Sequence, residues 1–243
     1  PVPRERMGNM RAVTMIAPQD GRVMFVLPAG THAIIGTTET PTQSAPEQVR
    51  ASEADVRYLL DAANHHFPAA ALTRDDVVSA WAGIRPLVAA SGSLGGASRE
   101  HHVAVEGRTV SVTGGKLTTY RVMADDVMQA VAPLLGIRHG ASPTASRPLP
   151  GGDVGDVETE IARVARDTAL PIASARRMVE AYGSRWTHLW ASAQSMAGGT
   201  AQLVPGLPYL AAEAAYAAQH EMAVTIGDIL IRRTHIGFET RDN

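Results

Sequence analysis

The run GGKLTTYR, residues 114–121, lies between two segments of opposite character. The preceding TVSVTGG (109–115) alternates like a β-strand, and LTTYRVMADDVMQAVAPLL (117–135) has the apolar spacing of a helix. Two glycines at such a corner allow a ligand to approach the backbone closely. The start of the helix directs free N–H groups and the positive end of its dipole at the same point, where Lys116 adds a full charge. The sequence therefore predicts a strand–helix corner that holds an anionic group.

The residues before this corner are predicted to form strands and one helix. Two alternating apolar runs flank Asp20–Gly21, a dipeptide typical of hairpin turns, and HAIIGTT (32–38) is a third strand candidate. A serine that can cap a helix opens the apolar-periodic segment 52–66. DDVVSAWAGIRPLV (75–88) predicts a return to strand, and HHVAVEGRTVSVTGG (101–115) predicts a second hairpin.

The pattern changes after residue 138. The segment HGASPTASRPLPGGDVG (139–155) is rich in Gly, Pro and Ser, which is typical of a linker. We therefore predict an α+β protein with an antiparallel or mixed sheet in 1–138, a linker in 139–155 and an all-α domain in 156–243. Within this last domain the apolar period predicts helices near 156–169, 172–182, 184–196, 208–221 and 225–236.

Composition excludes several classes of site. The net charge of −2 gives no electrostatic footprint for nucleic acid. The absence of cysteine excludes disulfides, thiolate metal ligands and a cysteine nucleophile, and no His/Asp cluster has the spacing of metal ligands, so we expect no metal site. No stretch approaches the roughly 18 consecutive apolar residues that a membrane-spanning helix needs, although a peripheral membrane contact requires only a patch or an amphipathic helix.

Several runs extend the pattern beyond the corner. In chain order they are FVLPAGTHAIIGTTET (25–40), WAGIRPLV (81–88), SREHHV (98–103), LPGGD (149–153) and TIGDILIRRTHIGFETRDN (225–243). Together with GGKLTTYR they resemble the C-terminal portion of the FAD-dependent, respiratory glycerol-3-phosphate dehydrogenase family, over essentially the whole chain. The resemblance implies a substrate-domain sheet, the closing strand and helix of the FAD domain, and a C-terminal helical domain. The GxGxxG fingerprint of such flavoproteins is absent here, so we expect the chain to hold roughly the second half of the enzyme.

The same resemblance implies roles for particular residues. Arg85, Arg99 and Lys116 are expected to hold the phosphate of the substrate, because arginine binds phosphate through two parallel hydrogen bonds and lysine adds a point charge. For each arginine considered alone, a surface position or a salt bridge is the alternative. The residues expected to contact the flavin are Gly114, Gly115, Lys116, Leu117 and Thr118.

The base that accepts the substrate's hydroxyl proton is not assigned. The family's usual base lies in a KG-x-H segment that this sequence does not contain. His101 and His102, beside Arg99, are the nearest substitutes. The alternative interpretation is a partly exposed histidine pair at the start of a strand.

The implied reaction is oxidation of sn-glycerol 3-phosphate to dihydroxyacetone phosphate, with electrons passed through FAD to a quinone. The implied location is cytoplasmic, peripheral on the inner face of the cell membrane, with a homodimer contact as a further partner. Two alternatives stay open: a related FAD-dependent oxidase of glycerol phosphate or amino acids, and a non-catalytic helical interaction module formed by 156–243. Without the Rossmann part, we expect the chain to be inactive, to bind FAD weakly and to expose apolar surface where that part docks.

Overall fold

The computed structural model describes residues 1–84 and 100–240. The fold is α+β, as predicted: a small antiparallel sheet with one long helix, a separate hairpin with a second long helix, and a helical C-terminal part. Among the described residues, no helix is both long and apolar enough to cross a membrane.

The first sheet has four antiparallel strands in the spatial order β1-β4-β3-β2. They are β1 (Val2–Pro3), β2 (Val13–Ile16), β3 (Val23–Ala29) and β4 (His32–Gly36), with the short helix α1 (Arg4–Met7) after β1. The predicted hairpin at Asp20–Gly21 is confirmed, since Val13 of β2 pairs with Val26 of β3. Gly21 has a φ of +76°, which the turn requires and which glycine adopts without a steric penalty.

Helix α2 (Glu53–His66) confirms the helix predicted for 52–66. Ser52 and Asp55 form a capping box: the Asp55 N–H donates to the Ser52 hydroxyl at 3.2 Å, and the Ser52 N–H donates to the Asp55 carboxylate at 2.9 Å. Hydrogen bonds from Ser52 hold the pKa of Asp55 below its usual value. The buried face of α2, at Ala62 and Ala63, packs with Met24 and Val26 of the sheet in one apolar core.

The strand predicted at 75–88 is wrong over its described part. Residues 74–76 form a 3₁₀ turn, and no strand follows in 77–84. Val77 has an extended backbone, the Val78 N–H donates to the carbonyl of Pro1 at 3.0 Å, and the Trp81 ring packs against Phe238 at 4.3 Å between centroids. The alternating side chains thus pack between separate parts of the chain rather than in a ladder, and residues 85–88 lie outside the described residues.

The predicted second hairpin is confirmed as β5 (His102–Glu106) paired with β6 (Thr109–Thr113). A 3₁₀ turn at Leu117–Thr119 leads into α3 (Tyr120–Leu134), which confirms the helix predicted after the glycines. This unit leaves apolar residues exposed, including Val105, Val112 and Val122. That the rest of the enzyme docks on such a surface stays a prediction.

The C-terminal part is helical. Its helices are α4 (Val157–Thr168), α5 (Ile172–Tyr182), α6 (Trp186–Ser195), α7 (Ala211–His220) and α8 (Ile236–Glu239). The predicted helix at 225–236 differs in kind, because residues 228–233 are π-helical and Thr234 donates to the carbonyl of Ile229, five residues back, at 2.8 Å. The apolar core of the helical part includes Ile161, Met178 and Leu189.

The LPGGD segment (149–153) lies against the start of α6. The Ser184 N–H donates to the Gly151 carbonyl at 3.0 Å, and the Asp153 carboxylate accepts from the Ser184 hydroxyl. Gly151 and Gly183 face each other so closely that a Cβ on Gly183 would overlap the Gly151 carbonyl. The domain boundaries expected at 138 and 156 stay a prediction.

Candidate functional site

The glycine corner, residues 114–118, begins where β6 ends. Gly114 and Gly115 have φ values of +74° and +88°, in the left-handed region that favours glycine. The Lys116 N–H donates to the Thr119 hydroxyl at 3.2 Å, and that hydroxyl donates back to the Lys116 carbonyl at 3.0 Å. These bonds fix the direction in which the backbone enters the 3₁₀ turn.

Gly115 has no space for a side chain. A Cβ built there would collide with the thioether of Met123 on α3 and would lie 3.3 Å from the Cβ of His101. The corner is therefore held between two walls, the residue before β5 on one side and the first turns of α3 on the other. The sequence shows the two glycines at the corner, but it does not show that Met123 of α3 and His101, just before β5, both lie against Gly115.

The first N–H groups of the turn are available to a ligand. Those of Leu117 and Thr118 find no acceptor among residues 1–84 and 100–240, as is usual for the opening residues of a helical turn. The Leu117 side chain is 88% exposed, so nothing described covers this side of the corner. Lys116 is also exposed, and it is the single lysine among the 22 lysines and arginines of the sequence.

This arrangement fits the anionic edge of a flat ligand. Two backbone N–H donors without an acceptor among the described residues directly follow the exposed Lys116, and the two glycines before it carry no side chain. The residues predicted to contact the flavin are thus adjacent and share one exposed corner. Arg85 and Arg99, predicted to bind substrate phosphate, lie outside the described residues, so their convergence with Lys116 stays a prediction.

His101 and His102 differ in their surroundings. His101 is partly buried, and its Nε2 lies 2.6 Å from the Asp126 Oδ2 of α3. His102 is exposed, and successive strand residues point to opposite faces. Asp126 was not predicted, because helical periodicity identifies a polar face but not a partner on a hairpin.

A shallow cleft lies between β5 and α3. His101, Val103, Gln129 and Ala130 contribute to its lining. It follows α3 toward its C-terminal end and therefore leads away from the free N–H groups of the corner. In the part of the chain that the structure describes, no three His, Asp or Glu side chains are grouped so as to hold a metal ion.

Comparisons with known families agree with this arrangement. The family model described as FAD dependent oxidoreductase matches residues 1–121, which include the glycine corner. The model for the C-terminal domain of alpha-glycerophosphate oxidase matches residues 142–243. The residues between the two matches, 122–141, include most of α3, and the second match begins within the Gly- and Pro-rich segment.

Individual relatives cover nearly the whole chain. Glycerol-3-phosphate dehydrogenase 2 of Mycobacterium tuberculosis (strain H37Rv) is 37% identical over 98% of this chain and 41% of its own length. The mitochondrial glycerol-3-phosphate dehydrogenase of Macaca fascicularis is 34% identical over 91% of this chain and 31% of its own length.

A solved structure gives the same result. The glycerol-3-phosphate dehydrogenase from Bacillus halodurans, complexed with FAD, matches with a TM-score of 0.78 and 31% identity, over 98% of this chain and 47% of the other. The chain therefore spans less than half the length of these relatives. With both family models and the relatives in agreement, the chain belongs to the family of FAD-dependent oxidoreductases that includes the glycerol-3-phosphate dehydrogenases.

Proposed function

We propose that this chain is part of a flavoprotein that oxidises sn-glycerol 3-phosphate to dihydroxyacetone phosphate and uses FAD as its electron acceptor. The observation that carries the proposal is the glycine corner, where two N–H donors that find no acceptor in the described part of the chain follow the only lysine of the sequence. The relatives named as glycerol-3-phosphate dehydrogenases support the choice of substrate.

The corner would hold the pyrimidine edge of the flavin. When bound, FAD would supply the two-electron acceptor, and negative charge would develop on that edge. The N–H groups of Leu117 and Thr118 and the ammonium of Lys116 stabilise this charge, because fixed dipoles and a nearby cation need no reorganisation when the charge develops. Gly115 lets Met123 and His101 pack against the corner, which fixes the backbone that carries these donors.

The phosphate of the substrate is held by Arg85 and Arg99 together with Lys116. A phosphomonoester carries nearly two negative charges, so two or three cations are needed to balance it, and the guanidinium fork matches its oxygen spacing. These roles rest on the sequence pattern GIRPL, SRE and GGK.

The proton acceptor is supplied by a part of the enzyme that this chain does not span. Within this chain His101 and His102 remain the candidates, and the Nε2 of His101 is hydrogen-bonded to Asp126, which leaves its Nδ1 as the nitrogen that could accept a proton. Bound FAD would pass its electrons to a quinone at the inner face of the cell membrane, with the enzyme bound there peripherally. Oxygen as the acceptor is the competing proposal, and oxygen uptake without added quinone distinguishes the two.

The test uses the holoenzyme that carries this chain and follows bleaching of the flavin by glycerol 3-phosphate without oxygen. We expect Lys116→Gln and Arg85→Ala each to raise the substrate concentration for half-bleaching at least about tenfold, because each removes a charge-assisted contact. Arg108→Gln, at the exposed turn of the β5–β6 hairpin, is the matched loss of a positive charge and should change nothing. If glycerol 3-phosphate does not bleach the wild-type flavin, the proposal is wrong.

A further inference from the structure

We propose that His101 and Asp126 are a positioning pair: their contact holds the glycine corner in the geometry that binds the flavin. The inference rests on the proposed function, because it names the residues that keep the flavin site in shape. It assigns no contact with substrate or flavin to either residue.

The first step is the place of His101 beside the corner. The register of the hairpin pairs His102 with Thr113, so His101 continues β5 directly opposite the first corner residue. Its Cβ is 3.3 Å from where a Cβ on Gly115 would be. His101 is therefore one of the two walls that confine Gly115.

The second step is the link between the two walls. Met123 forms the other wall from α3, and Asp126 lies three residues further along the same helix. The 2.6 Å contact between Nε2 of His101 and Oδ2 of Asp126 joins the strand side to the helix side. The His101 side chain is 19% exposed and that of Asp126 is 44% exposed, so the contact lies at the edge of the solvent with its imidazole side covered.

The third step is what depends on the link. The N–H groups of Leu117 and Thr118 belong to the turn that leads into α3, so their direction depends on how α3 is held. Helix α3 packs against the β5–β6 hairpin, which ends at the two glycines. If the strand and the helix separate at His101, the donors lose their fixed direction while the fold of each element survives. A reduced flavin, which carries the negative charge, then loses more binding free energy than an oxidised one.

The experiment measures the holoenzyme's dissociation constant for FAD and the midpoint potential of the bound flavin. We expect His101→Ala and Asp126→Ala each to weaken FAD binding about tenfold, as loss of one charge-assisted hydrogen bond does. We expect the double variant to bind no more weakly than either single variant, because both remove the same contact. A tenfold loss of preference for the reduced flavin corresponds to a potential more negative by about 30 mV for a two-electron couple.

Two further variants separate positioning from general stability. His101→Gln restores most of the affinity and potential, because its amide N–H can donate to Asp126. Asp125→Ala removes the 3.2 Å contact between the carboxylate of Asp125, on the same helix, and His139, which follows that helix, and leaves both quantities at the wild-type values.

Several results would overturn the inference. Unchanged affinity and potential in both alanine variants, with FAD bound normally by the wild type, refute the positioning role and leave the proposed function intact. An effect of Asp125→Ala equal to that of Asp126→Ala shows that helix stability alone is responsible. Lost turnover with unchanged affinity and potential makes His101 a base instead. If the wild-type holoenzyme binds no FAD, the proposed function fails and the positioning role fails with it.

Discussion

Replacing Glu213 by glutamine tests the most deeply buried charge in the helical part. The Glu213 side chain is fully buried, and its carboxylate accepts the Leu210 N–H at 2.9 Å and the Tyr182 hydroxyl at 3.0 Å. The Arg177 guanidinium lies 3.1 Å away and is 17% exposed. Burial and then the Glu213 carboxylate raise the pKa of Tyr182, so its hydroxyl remains a donor.

The magnitude follows from what each partner retains. Glutamine keeps one carbonyl oxygen for the Leu210 N–H but leaves the Arg177 charge buried without a counter-charge. Removing one partner of a buried ion pair costs about 3–5 kcal/mol. Arg177 keeps its 2.8 Å hydrogen bond to the carbonyl of Arg233, so we expect the lower end, a loss of about 3 kcal/mol in the free energy of unfolding.

The assay is urea denaturation of the chain followed by far-UV circular dichroism. Tyr182→Phe is the internal reference, since it removes one hydrogen bond and should cost about 1 kcal/mol. Arg176→Gln is the exposed control: Arg176 pairs with Glu158 at 2.7 Å on the surface, where such pairs contribute little. If Glu213→Gln costs no more than Tyr182→Phe, the ion pair between Glu213 and Arg177 is not what stabilises this core.

Two further predictions concern pH and close backbone contact. Burial lowers the pKa of His32 and His235 below the usual 6.5, so near that pH the unfolded chain binds more protons than the folded chain. The free energy of unfolding should therefore fall as the pH drops below 6.5, which melting curves at neutral pH and at about pH 5 should show. A His32→Gln, His235→Asn double variant should show a smaller dependence of the free energy of unfolding on pH. Gly183→Ala should lower the free energy of unfolding, measured by urea denaturation, by about 3 kcal/mol, because its Cβ would overlap the carbonyl of Gly151. Gly206→Ala is the control, since Gly206 has a φ of +84° but open space around it, and it should cost only about 1 kcal/mol. Equal costs would refute the role of the close contact.

Local chemistry made much of the fold predictable. The Asp20–Gly21 turn and the Ser52 cap act within a few residues, so the sequence contains all that determines them. The glycine corner was predictable for the same reason, since its glycines, lysine and helix start are consecutive. Contacts between distant segments were not predictable in this way.

The features that the sequence did not predict depend on contacts between residues far apart in the chain. Residues 77–84 alternate like a strand, but their partners are the Pro1 carbonyl and the Phe238 ring, which no local pattern reveals. Asp126 looks like any polar residue on a helix until the hairpin places His101 against it. A glutamate in a helical pattern is usually exposed, so the sequence does not show that Glu213 is buried beside its ion-pair partner, Arg177 of another helix.

The stacking of Trp81 on Phe238 gives the chain an intrinsic optical reporter. The sequence has three tryptophans, and the other two, Trp186 and Trp190, belong to the helical core. Replacing those two by phenylalanine would leave Trp81 as the one tryptophan, located where residues 77–84 meet α8. Its emission would then follow the separation of these two parts in real time, without any added label.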